Sequence, residues 1–135
     1  MSYGERHTWA YLVTALLVPA IYVPMMLVKL GSAPAGEIDF QVPLLFAIGA
    51  ALVLNMFFAR PPRKGRDRRD ERDADIGRRG ERIGYFVLGA AMILPFGLAL
   101  AELPHFWIAN AIYLAYVLSA IVSSAAKLAF YRRGL

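Results

Sequence analysis

The sequence contains no cysteine. That excludes a disulfide framework, a thiolate metal site and a thiol nucleophile. Histidine is nearly as scarce, with only His7 and His105. The topology read below puts these two on opposite membrane faces, so they cannot share a metal or a haem. Charge is thin as well, at 19% of residues, where an ordinary soluble domain carries about a quarter. Outside residues 60–83 it almost vanishes. A chain with so little charge to spread over a water-facing surface leaves its long apolar runs to lipid.

What remains is mostly hydrophobic: 59% of 135 residues, with a mean hydropathy of +0.48. By length this is one domain. Four apolar runs are expected to cross a membrane: residues 8–30, 42–59, 83–103 and 106–130. About twenty apolar residues at about 1.5 Å rise each span a hydrocarbon core. Trp9 and Tyr11 sit where an interfacial aromatic belt belongs. Pro19 and Pro24 in the first run, and Pro95 in the third, each remove a backbone donor, which membrane helices tolerate. The first run is too long for a signal-peptide core and lacks a clear small-x-small cleavage site followed by a soluble domain, so it is expected to be retained. The expected fold is an all-α integral membrane four-helix bundle forming a single membrane domain.

Residues 60–83, RPPRKGRDRRDERDADIGRRGERI, carry ten of the fifteen Lys and Arg residues and six of the ten acids. Pro61 and Pro62 stop the second helix. From about Arg69 a charged helix is expected to resume and lead into the third span. Asp75 with Arg79, and Arg78 with Glu81 or Arg82, stand at helix-neighbour spacings. Gly77, Gly80 and Gly84 weaken that helix. Four crossings place the head, this island and the tail on one side. That side holds Arg6, the ten island cations, Lys127, Arg132 and Arg133, and the other holds only Lys29. Positive-inside logic puts both termini and the island in the cytoplasm. The net charge of +5 thus reflects topology rather than nucleic acid.

The two hairpins run in the same orientation, which suggests a parallel internal repeat; chance likeness between alanine-rich helices explains the pattern as well. Each even-numbered span carries a row of small residues at four-residue spacing: Ala47, Ala51, Asn55, Ala59 in one and Ala111, Ala115, Ser119, Ser123 in the other. Small side chains let membrane helices approach closely. Whether that contact lies within one chain or in a homo-oligomer is open at this point. Lys29 and Glu102 fall near the outer ends of their spans. Each can snorkel to water, or the two can pair across spans one and three. Asn55, deep in span two, suits a structural hydrogen bond between helices better than an ion or substrate site. His105 and Asn110 lie at the outer entrance to span four.

Asp70, Glu71, Asp73 and Asp75 invite a magnesium site. However, Arg68, Arg69 and Arg72 interleave with them and neutralise them first. No catalytic residue, metal or cofactor is expected, and an enzyme ranks third. Anionic lipid headgroups are the default partner of the island. A cytosolic protein suits its mixed charge, through Asp70, Glu71, Arg72, Asp73, Arg78, Arg79 and Arg82. Nucleic acid is disfavoured by the six interspersed acids and the lack of a recognition motif.

Asp70-Glu71-Arg72-Asp73, then Ile76, Gly80 and Arg82-Ile83-Gly84-Tyr85 just ahead of a span, resembles a motif in small prokaryotic four-span membrane proteins. These are uncharacterised domain-of-unknown-function families with an acidic-arginine signature before the third span. The resemblance covers the charged island and the start of the third span, roughly twenty residues, and implies a multi-pass protein of the bacterial inner (plasma) membrane without an assigned activity. Members of such families are sometimes encoded beside small helix-turn-helix regulators, which fits a cytosolic partner. The chain also matches the four-span multidrug and fluoride exporters in size. It lacks the first-span glutamate of the former and a filter-like polar and phenylalanine set of the latter. Two functions are therefore expected: a non-enzymatic membrane protein that binds or regulates a partner through its charged loop, or a small oligomeric transporter or channel with Lys29, Asn55 and Glu102 near its path.

Overall fold

A computed structural model describes the backbone of residues 3–58 and 67–133 and the side chains of residues 4–57 and 71–133. Every regular element among these is helical. Helix α1 (Tyr3–Ser32) leads through a 3₁₀ turn (Ala35–Glu37) to α2 (Gln41–Phe58). Helix α3 (Asp67–Ala91) is followed by α4 (Ile93–Leu100) and α5 (His105–Arg132). Three helical runs are long and apolar enough to cross a membrane: α1, α3 with α4, and α5. At 18 residues α2 is shorter, about 27 Å at about 1.5 Å per residue.

Local chemistry explains where these helices bend and stop. Pro95 has no N–H for the Ala91 carbonyl, and the helix breaks at Met92, between α3 and α4. The ladder resumes at once, with Met92 N–H on Leu88 O and Phe96 N–H on Met92 O. After α4 the chain turns sharply. Glu102 N–H bonds Ala99 O and Leu103 N–H bonds Leu98 O, the paired closure of a Schellman motif. The position that motif normally gives to glycine is held by Glu102, at φ 55°. Pro104 follows, cannot extend α4, and caps the start of α5.

Helix α5 is the shared wall of the molecule. It packs against α3, α1 and α4, whereas α2 packs mainly on α1. The two helices that a parallel repeat would make equivalent, α2 and α5, therefore occupy different places. The tightest apolar cluster lies toward the end opposite the charged segment: Tyr22 and Met26 of α1, Ile38, Phe40 and Ala47 around the start of α2, and Phe106 and Tyr113 of α5. Tyr22 and Tyr113 meet edge-to-face at 5.1 Å, and Phe40 meets Phe106 the same way at 5.6 Å. Away from this cluster Ile76 and Leu128 are also buried, but many of the large apolar side chains point outward. Phe46, Met56 and Phe86 are each at least 75% exposed. Contiguous apolar surface on this scale suits lipid and not water.

Candidate functional site

The charged helix has two faces. At 3.6 residues per turn, Asp73, Ile76, Gly80 and Gly84 share one side of α3, and Glu71, Asp75, Arg78 and Arg82 share the opposite side. The inward side is tied to both other ends of the chain at the island end of the molecule. Tyr131 Oη donates to Asp73 Oδ1 at 2.8 Å, and the Gly4 N–H donates to Asp73 Oδ2 at 3.3 Å. Arg72 donates to the Tyr131 carbonyl at 3.1 Å, its guanidinium carbon 5.7 Å from the centre of the Tyr131 ring. Ile76, 1% exposed, lies sealed just inside. Any Cβ at position 4 would strike the Tyr131 hydroxyl and the Asp73 carboxylate. One aspartate thus clasps the start of α1 and the end of α5 to α3.

The outward side carries its charges to solvent. Arg79 and Arg78 reach Asp75 at 3.3 and 3.9 Å. Glu71 and Arg82 are exposed and bond to no described residue. The Asp70 side chain and Ala59 lie outside the described residues. The residues expected to bind a partner therefore divide: Arg72 and Asp73 are engaged inside the chain, while Glu71, Arg78, Arg79 and Arg82 face out.

Further along the helices from the clasp, α3 and α5 come close along the serine row. Ser119 Oγ donates to the Gly84 carbonyl at 2.7 Å. A Cβ on Gly84 would lie 3.0 Å from Ser123 Cβ, so glycine sets this approach. Ala115 is buried on α5 and Ala111 half-buried. Helices α1 and α3 both lean on α5 without closing on each other above the clasp. Between them runs a groove of about 370 Å³, lined by His7, Thr8, Tyr11, Glu81, Tyr85, Tyr116, the serines of α5 and Lys127. Lys127 crosses α3 over Gly80, where any Cβ would overlap its stem, and its Nζ stands 3.9 Å from Glu81 Oε1.

A second cavity, of about 560 Å³, opens between α1, α2 and α5; Asn55 lines it with Thr14, Tyr113 and mostly apolar side chains. Lys29 is elsewhere, its Nζ donating to the Asp39 carbonyl at 2.9 Å. Glu102 is exposed in the turn between α4 and α5. Lys29, Asn55 and Glu102 do not converge, and Lys29 and Glu102 are not joined. The polar contact beside the apolar cluster is instead between Tyr22, which donates to Asn110 Oδ1, and Asn110, whose Nδ2 donates to Phe106 O at 2.7 Å. Spacing gave no hint of that pair, because its members lie 88 residues apart. Tyr131 carries no signal of its own in the sequence, and Lys127 is legible there only as a topology charge.

No protein-family model, curated protein or solved structure matches this chain.

Proposed function

We propose that this is a non-enzymatic integral membrane protein that binds or regulates a cytosolic partner through the outward face of α3. The observation carrying this reading is the division of labour on that helix. Its inward residues hold the molecule together, and Glu71, Arg78, Arg79 and Arg82 are left outward beyond the apolar spans. A rigid helix presenting acids near its start and arginines toward the membrane offers specific pairing that a polybasic tail does not. The arginines nearest the bilayer also contact anionic headgroups, at about 1 kcal/mol each. Both termini and the charged segment lie in the cytoplasm in this reading, and the bacterial inner membrane is the membrane concerned.

The alternative, a small oligomeric transporter or channel, draws support from the cavity beside Asn55. It is the weaker reading because the other polar residues of its expected path lie elsewhere. The two separate in one experiment. Full-length protein is crosslinked in native membranes as wild type, as Glu71→Lys with Arg78→Glu and Arg82→Glu, and as Asn55→Leu. The partner reading expects a defined crosslinked species that the charge reversals reduce at least tenfold and Asn55→Leu leaves intact. Equal crosslinking in all three overturns it.

A further inference from the structure

The groove between α1 and α3 is not used by the partner reading, and its chemistry points elsewhere. It starts at the level of the clasp, with His7, Glu81 and Lys127, and runs toward Leu88 and Tyr116. From Lys127 to Tyr116 is eleven residues of α5, or roughly 16 Å of helix. Its volume of about 370 Å³ falls within the range of about 300–1,000 Å³ of small-molecule sites. Tyr85 and Tyr116 on its lips are 71% and 58% exposed, so it opens sideways to where lipid would be.

The polar groups are matched to a ligand carrying both signs of charge. Lys127 and Glu81 stand 3.9 Å apart, beyond the about 2.7–2.9 Å of a charge-assisted hydrogen bond. Each ion therefore keeps its hydrogen-bonding capacity. Lys127 has three N–H donors to give, and Glu81 only acceptor oxygens. Thr8 and Ser119 have already donated their protons to the Gly4 and Gly84 carbonyls, so toward the groove they offer lone pairs. The faces of Tyr11, Tyr85 and Tyr116, one from each wall, attract a cation. A simple anion would meet Lys127 but also Glu81. A simple cation would meet Glu81 and the rings but also Lys127.

We propose that this groove binds one zwitterionic phospholipid from the leaflet on the charged-island side. Its phosphate sits on Lys127, and its ammonium lies between Glu81 and Tyr85, one helical turn further along α3. Its glycerol and upper chains follow the groove toward Leu88. Gly80 is part of the site, since only a residue without a side chain lets the Lys127 stem lie across α3. The proposal uses the membrane placement of the helices and is independent of any partner on the opposite face of α3.

The test uses the full-length protein, delipidated in detergent and supplied with phosphatidylethanolamine and phosphatidylglycerol in equal amounts, with retained lipid read by native mass spectrometry. Wild type is expected to retain one phosphatidylethanolamine, at least fivefold over phosphatidylglycerol. Lys127→Gln lowers that retention at least fivefold. Glu81→Gln removes the ammonium acceptor and shifts the preference toward phosphatidylglycerol, which a merely structural role would not do. Glu37→Gln, exposed in the turn at the other end of the molecule, leaves retention unchanged. A phosphatidylethanolamine with a photoreactive headgroup checks the unaltered protein and should label residues 81–88 and 116–127. Equal retention of the two lipids by wild type, indifference to both groove substitutions, or labelling confined to α2 each overturns the proposal. So does displacement of the lipid by soluble glycerophosphoethanolamine at equal concentration, which would make the ligand a free headgroup.

Discussion

At the scale of single residues, Asp73 and Gly84 do most to decide how the helices meet. Asp73 receives hydrogen bonds from Tyr131 and from the Gly4 backbone. A hydrogen bond to a partly buried charged group is worth about 1 kcal/mol or somewhat more. Tyr131→Phe and Asp73→Ala should therefore each destabilise the protein in detergent, and the double variant should lose less than their sum. The coupling free energy expected from such a cycle is about 1 kcal/mol. Coupling within error of zero would mean that the clasp does not hold α5 to α3. Gly84 makes a different demand. A Cβ there would lie 3.0 Å from Ser123 Cβ and 3.2 Å from Ser119 Oγ, so Gly84→Val forces the helices apart, at about 1–3 kcal/mol. Ser119→Ala loses one interhelical bond, and in membranes these average only about 0.6 kcal/mol. Thermal unfolding should rank the two variants in that order; the reverse order would place the α3–α5 contact elsewhere.

At the scale of elements, the turn between α4 and α5 is the place where the chain departs from its own best chemistry. Glu102 closes α4 with φ 55°, a conformation that costs a side-chain-bearing residue roughly 1–2 kcal/mol. Glu102→Gly should raise stability by about 1 kcal/mol, observed as a higher unfolding midpoint, because glycine takes that conformation without strain. A lower midpoint would show that the carboxylate itself holds the turn. The same region shows how far sequence can be read. The proline-bounded runs, the glycine-weakened charged helix and the tight turn at Leu103-Pro104-His105 follow from local rules about donors and dihedral angles, which act over a few residues. The break at Met92 follows from Pro95 once the helix is known to continue. Which helix touches which does not follow. Helices α2 and α5 carry the same row of small residues at four-residue spacing. Yet α5 packs against three helices and α2 mainly against one. Greasy surfaces are interchangeable in lipid, so the partner of such a row is set by shape complementarity along its whole length. The groove stayed hidden for the same reason: His7, Glu81 and Lys127 come from three helices and share no sequence spacing.

At the scale of the whole molecule, everything said about partners and lipids depends on which face of the membrane the charged end occupies. The charge count argues for the cytoplasm, with fourteen of fifteen cations on one side of the expected crossings. The clasp adds an independent argument, because the start of α1, the start of α3 and the end of α5 are joined by direct hydrogen bonds at one end of the molecule. Those three segments must therefore face the same compartment, whichever it is. The absence of cysteine makes the choice directly measurable, since a single introduced thiol is the only thiol in the chain. Glu37→Cys, in the turn at the far end, should react with a membrane-impermeant maleimide in intact cells. Arg79→Cys and Arg133→Cys should stay unlabelled until the membrane is permeabilised, and they should behave alike. Labelling of all three in intact cells, or of Arg79→Cys alone, would contradict the four crossings. Labelling of Arg79→Cys and Arg133→Cys but not Glu37→Cys would keep the crossings and invert them. In that case the outward stripe of α3 would face away from any cytosolic partner, while the groove beside Lys127 would draw its lipid from the opposite leaflet.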